Sequence, residues 1–204
     1  MAYSDFSLAK AKNDFGLTLD ESCNLFSDVQ PVLPSETLKT LLSDYVSLAT
    51  AISTEKARSE FLIAPILAEL RRLLNNQISL FSGNEFNIEP AKGLQGYCGY
   101  IISSSKEQLY ITAPVCIIFE AKKEDIIGGL GRCIAAMFAA QLFNHGKGNE
   151  VRSIYGCVTT GTNWKFLILE GTTVYKDQIE YYLKEVDKIL GILLQPFQSV
   201  LTAV

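Results

Sequence analysis

One place in the chain passes from a long apolar run straight into charge. Val115-Cys116-Ile117-Ile118-Phe119 leads into Glu120-Ala121-Lys122-Lys123-Glu124. The β-branched and aromatic residues, bounded by Pro114 and by a charged, glycine-rich turn, predict a central strand. Alternation along a strand puts Val115, Ile117, Phe119 and Ala121 on one face. Cys116, Ile118, Glu120 and Lys122 share the other. Glu120 and Lys122 then project the same way, about 7 Å apart at their Cα atoms. A carboxylate and an ammonium at the end of a greasy strand are costly unless they pair or do chemistry.

Three further positions belong beside that pair. Glu60 precedes Ile63, Leu67, Leu70 and Leu74 at the helical period, which sets it on the edge of a buried face. Gln141 continues the line Leu130, Ile134, Met137, so an amide falls on an apolar helix face. Gly99 interrupts the apolar segment Tyr97-Cys98-Gly99-Tyr100-Ile101-Ile102-Ser103. A glycine inside a strand marks a bulge, a close backbone approach or a position without its side chain. The turn Gly128-Gly129-Leu130-Gly131 could cradle a phosphate, but it is neither a Walker A motif nor a G-x-G-x-x-G. His145 is the single histidine, so histidine-rich metal sites are excluded and His145 reads as a loop residue. Cys23, Cys98, Cys116, Cys133 and Cys157 show no C-x-x-C spacing, and they read as reduced core cysteines.

The elements that must position these residues follow from periodicity. Ser35 caps an amphipathic helix carrying Leu38, Leu41, Leu42, Tyr45, Val46 and Leu48. A second helix runs from about Thr54 to Leu74, with Pro65 as a kink or first-turn residue. Its carboxylates Glu60 and Glu69 flank opposite edges of the apolar stripe, and as boundary groups either would pair with Arg58 or Arg72. Strands are predicted at Phe86–Glu89, Tyr97–Ser103 and Tyr110–Ala121. A helix then reaches Asn144, and its Ala135, Ala136, Ala139 and Ala140 permit close packing. The pair Ile154–Thr160 and Trp164–Glu170 reads as a hairpin. A short strand at Thr173–Tyr175 and an amphipathic helix from about Gln178 to Leu194 close the order.

That order, with a strand ending in Glu-x-Lys, resembles the PD-(D/E)XK phosphodiesterase superfamily, the restriction-endonuclease-like fold, over residues 54–175. Glu120-Ala121-Lys122 matches the (D/E)XK half-motif. Gly96-Tyr97-Cys98-Gly99-Tyr100-Ile101-Ile102-Ser103 stands where the acidic half-motif is expected. Glu60 is similar to the first-helix glutamate of many members and Gln141 to the second-helix glutamine. The resemblance implies an α/β fold with a mixed sheet: helix, three strands, helix, two strands, flanked by N- and C-terminal helices. It implies Mg²⁺-dependent hydrolysis of DNA, with the metal held by the Asp, by Glu120 and by the carbonyl of Ala121. Lys122 would orient the nucleophilic water. The expected Asp position holds Gly99. Magnesium prefers hard oxygen ligands and is bound through carboxylates together with several waters, so affinity should fall sharply unless Glu60 contributes or an acid such as Glu89 or Glu107 has moved in. The expectation is therefore a nuclease-fold protein whose hydrolysis is impaired or inactive. The alternative on the same fold is a non-catalytic module that binds DNA or other proteins as a homo-oligomer.

Composition sets the outer limits. With 204 residues and 48% hydrophobic content, the chain can bury one core. The expected division is a helical extension over residues 1–53, the nuclease-like core over 54–175 and a C-terminal helix over 176–204. A net charge of −4 argues against a strongly basic DNA-coating protein. No apolar run reaches the length of a membrane span, and the first residues do not resemble a signal peptide. The expected setting is cytoplasmic, away from membranes.

Overall fold

The computed structural model describes residues 1–198. One eight-stranded mixed sheet separates two apolar layers. The chain opens with α1 (Leu8–Phe15) and β1 (Thr18–Asp20). Helices α2 (Glu36–Ile52), α3 (Glu55–Arg58) and α4 (Ala64–Leu73) follow, with a π-helical turn over Ser59–Ile63 between the last two. Next come β2 (Ser79–Ser82), β3 (Tyr100–Ser103), β4 (Val115–Ala121) and α5 (Ile126–Gly146). The remaining strands are β5 (Ser153–Thr159), β6 (Asn163–Glu170), β7 (Thr173–Lys176) and β8 (Tyr181–Tyr182), and α6 (Val186–Leu194) packs last.

The strand order is β1-β7-β6-β5-β4-β3-β2, with β8 beside β6. Strands β2, β3 and β4 are antiparallel neighbours, whereas β4 and β5 run parallel. Parallel neighbours need a long crossover, and α5 supplies it. All four alanines of α5 are buried, so the helix lies close on the sheet. By length and composition α5 could cross a membrane, but most of it is buried in this chain's own core.

Strand β4 is fully buried, yet its faces differ from simple alternation. Ile102 pairs with Ile117 and Ser103 with Val115, leaving Cys116 as an extra residue. This bulge turns Cys116 towards the α2–α4–α6 layer together with Ile117 and Phe119, and Val115 towards α5 together with Ile118. Beyond the bulge the predicted alternation resumes: Ala121 joins Phe119, and Glu120 takes the opposite face, which proves to be the one under α5.

Other expectations shift in identifiable ways. Ser35 caps α2 by accepting from Leu38 N at 3.2 Å. The helix over 54–74 is one rod of three pieces. Pro65 has no N–H and its ring crowds the carbonyl four residues back; the π-turn before it relieves both, and Ala64 N bonds Ser59 O. Phe86–Glu89 is no strand and meets its neighbours through isolated bridges, Glu85 to Tyr97 and Glu89 to Leu94. The regular part of the segment over 97–103 starts only at Tyr100. The strand predicted over 110–121 starts at Val115, and α5 continues past Asn144 to include His145. The last helix is shorter than expected, because β8 and a 3-10 turn over Leu183–Glu185 take its first part.

Residues 1–53 are more than a helical extension. Strand β1 adds to the sheet as its edge strand, parallel to β7, and Tyr3 and Phe6 are buried under α5. The close fit is visible at Gly131, where a Cβ would lie 2.3 Å from the carbonyl oxygen of Phe6. Helix α6 packs on the opposite layer; residues 199–204 of the expected C-terminal segment lie outside the described residues.

Candidate functional site

The C-terminal end of β4 brings one carboxylate and two cations together. Lys122 Nζ stands 2.9 Å from Glu120 Oε1, and Arg132 Nη1 stands 3.1 Å from the same oxygen. The Glu120 side chain is only 5% exposed. Despite the two cations, Glu120 Oε1 has no partner of regular hydrogen-bond geometry. Burial pushes the Glu120 carboxyl above the usual carboxylate range, and Arg132 and then Lys122 only partly offset it. Glu55, at the start of α3, adds to the upward shift. The same environment acts on buried Cys98, whose thiol is pushed up to about 12, first by burial and then by Glu120.

Local sequence explains how the cations arrive. Lys122 N donates to Thr159 O at 2.9 Å, which continues the β4–β5 pairing one residue past the strand. The Lys122 stem then runs across α5, where a Cβ on Gly129 would sit 3.0 Å from Lys122 Cε. Asp125 caps α5 through Gly128 N at 2.8 Å. The glycine-rich turn is thus a packing device. Its first free N–H is taken by Asp125, Gly129 admits Lys122 and Gly131 admits the N-terminal segment, so it offers no phosphate cradle. Arg132, one turn further along α5, reaches over to the segment before β3, and its Nη2 donates to Tyr97 O at 2.8 Å.

Of the residues singled out from sequence, Glu120 and Lys122 meet as expected, and Gly99 lies against them. A Cβ built on Gly99 would stand 2.8 Å from Phe119 O and 3.3 Å from Ala121 N. The glycine is explained by close backbone approach, and the direction that a side chain would take is filled by β4 itself.

Glu60 does not reach the site. Its side chain is 56% exposed and sits 3.8 Å from Lys56. It lines a groove between α2 and α4 with Leu38, Leu41 and Pro65, on the side of the sheet away from Glu120. Gln141 does not reach it either. Nine residues along α5 from Arg132 amount to roughly 13 Å of rise, and Gln141 Nε2 bonds Gly171 O at 3.1 Å near the far end of the helix. Glu89 pairs with Lys92 at 3.1 Å, and Glu107 accepts from Leu109 N at 2.8 Å in the loop before β4. Neither has moved into the place of the missing acid. Arg132 is the residue that sequence reasoning missed. Its signal was available: an arginine six residues past Ile126 on an otherwise apolar helix whose start must follow the charged end of β4.

The donor set does not fit magnesium. One carboxylate faces the position, and two cationic groups already contact it. Unit charges 4 Å apart repel by about 4 kcal/mol at an effective dielectric constant near 20, and a dication beside Lys122 and Arg132 would meet that repulsion several times over. Among the described residues no group of three or more His, Cys, Asp or Glu side chains is placed to hold a metal. Of the five cysteines read as core residues, Cys98, Cys116, Cys133 and Cys157 are buried and free, whereas Cys23 is free but exposed, in the segment after β1. No family model and no curated protein matches this chain.

Proposed function

We propose that this chain is a nuclease-fold module of the PD-(D/E)XK kind in which metal-dependent hydrolysis is silenced, and that it acts by binding DNA. Support comes from the order of elements around the site: α4, then antiparallel β2, β3 and β4, then α5, then parallel β5. Glu120 and Lys122 sit at the end of β4, where the resemblance expects them. The observation that carries the silencing is the lone carboxylate: Glu120 contacts Lys122 and Arg132, and β4 backbone fills the side-chain direction at Gly99. Phosphodiester hydrolysis of this type needs a bound dication to activate water and take up phosphoryl charge. Magnesium sites rest on more oxygen ligands than Glu120 supplies.

The test is incubation of linear and supercoiled DNA with the protein in Mg²⁺ or Mn²⁺, beside a binding titration at several salt concentrations. No cleavage is expected, with DNA affinity that falls steeply as salt rises. Metal-dependent cleavage that Glu120→Gln abolishes would overturn the silencing. Absence of salt-dependent binding would leave the second reading, a protein-interaction module. That reading is favoured by the groove between α2 and α4, where Leu41, Ala64, Pro65 and Ala68 are partly or fully exposed, and light scattering for a stable oligomer tests it. Gly99→Asp is not expected to restore cleavage. Its Cβ would force β4 to shift, at a cost of about 1–3 kcal/mol for such overpacking, seen as a lower urea midpoint.

A further inference from the structure

Arg132 presents an anomaly. Its Nη1 faces Glu120 and its Nη2 bonds Tyr97 O, yet its Nε is buried without a partner. Glu120 Oε1, the atom it faces, likewise lacks a regular hydrogen bond. Two buried polar atoms left unsatisfied in one contact are poor hydrogen bonding. What the contact does supply is charge, delivered to a carboxylate that is 5% exposed.

Its position is equally telling. Arg132 joins three pieces of chain: α5, the end of β4 through Glu120, and the segment before β3 through Tyr97. Gly99 lies between the last two, with its backbone against Phe119. In a hydrolytic site of the kind proposed above, acids from those two strands are bridged by a dication. Here the strand segment brings a carbonyl and a glycine, and a guanidinium spans the gap.

We infer that Arg132 is a built-in cation: it occupies the electrostatic place of the divalent ion, holds the Tyr97–Gly99 segment to the end of β4, and closes the site to metals. The inference rests on the nuclease-fold reading for the comparison with a metal, but its contacts stand without it. Lys122 alone would not serve, because its stem lies on α5 across Gly129, whereas the hydrogen bond to Tyr97 O comes from Arg132. Arginine suits the role because its planar fork presents separate donors to two acceptors, and it stays charged when half-buried.

The test compares wild type with Arg132→Met, which keeps the aliphatic stem, and Arg132→Lys, which keeps the charge but not the fork. Mn²⁺ binding is followed by electron paramagnetic resonance, and melting temperature is read with and without Mn²⁺. Wild type is expected to bind no Mn²⁺ in the millimolar range and to melt at one temperature throughout. Arg132→Met should melt several degrees lower, bind Mn²⁺ weakly and regain part of the loss when Mn²⁺ is added. Adding Glu120→Gln to Arg132→Met should abolish that binding. Arg132→Lys should melt between the two and bind no Mn²⁺. Binding of Mn²⁺ by wild type that Glu120→Gln removes would overturn the inference. So would an Arg132→Met protein that is destabilised but takes up no metal, since the arginine would then be structural alone. If Arg132→Met does not fold, Arg132→Lys decides: Mn²⁺ binding by it refutes the role of charge. DNA cleavage by wild type, scored separately, bears on the silencing and not on these contacts.

Discussion

Two glutamates in this molecule have the same side-chain exposure, 5%, and opposite electrostatics. Glu69 on α4 accepts four directed hydrogen bonds: Ser35 N at 2.8 Å, Ser35 Oγ at 3.0 Å, Arg72 Nε at 2.8 Å and Arg72 Nη2 at 2.7 Å. Its carboxyl is pulled down to about 2, chiefly by the hydrogen bond from Arg72. Glu120 also has cations at 2.9 and 3.1 Å, yet its carboxyl is raised, chiefly by burial. Distance to a cation does not settle a buried carboxylate. Directed donors and depth of burial decide it together: Arg72 and Ser35 outweigh burial at Glu69, whereas Glu120 lies deeper in the fold and burial outweighs its cations. Glu69 is a fastener between α4 and the cap of α2, whereas Glu120 keeps a charge that the fold has not fully satisfied. A buried carboxylate of the second sort, raised by burial beside two cations in one place, marks a candidate site.

The largest expected effect comes from breaking the fastener. Glu69→Ala leaves Ser35 N, Ser35 Oγ and the Arg72 fork without their acceptor and loosens the α2 cap. A loss of about 2–3 kcal/mol is expected, read from the urea midpoint at neutral pH. Glu120→Ala should cost clearly less, because the carboxylate it removes was itself held at a desolvation cost. Equal losses would erase the distinction drawn between the two residues.

Acid should separate them next. The folded-state pKa of Glu69 lies below its unfolded value, so its stabilisation is complete above the ordinary glutamate range and drains as pH falls towards about 2. Wild type should therefore lose melting temperature across that window, and Glu69→Gln should show a flatter acid limb. An unchanged slope in Glu69→Gln would mean that other carboxylates carry the acid sensitivity.

How much of this was legible in the sequence differs between the two glutamates and the elements that carry them. The apolar stripe of the 54–74 helix follows from helical spacing, and of the two arginines open as partners to Glu69, Arg58 and Arg72, the structure selects Arg72, three residues on. The position of Glu120 and Lys122 on one face follows from strand alternation beyond the bulge. The bulge itself does not, since a single extra residue at Cys116 answers to the register of β3, a long-range matter. Strand β2 was missed because four residues, Ser-Leu-Phe-Ser, carry too little periodicity. Its edge is finished by the amide of Gln108, which donates to Leu80 O at 2.7 Å and accepts from Leu80 N at 3.2 Å. Glu60 was misplaced because the helical period gives an angle about the axis and not which side of the sheet the helix packs on. Arg132 was missed because a partnership between α5 and the end of β4 depends on the crossover.

The smallest and sharpest effect is expected from Glu120→Gln. The amide keeps the shape and removes the buried charge, and the cations left behind, Lys122 and Arg132, are partly solvated, so the change near neutral pH should be smaller than for Glu69→Ala. The informative quantity is its pH dependence. The Glu120 carboxyl is raised in the folded state, so its stabilisation is present below the ordinary carboxylate range and is lost as pH rises through the folded-state value. Wild type should then fall relative to Glu120→Gln on moving up from acid, the reverse of the Glu69 comparison, in melting curves taken at matched ionic strength. If wild type instead gains on Glu120→Gln as pH rises, then Lys122 and Arg132 outweigh burial. Glu120 would then be a second fastener like Glu69, with no unsatisfied charge to set it apart.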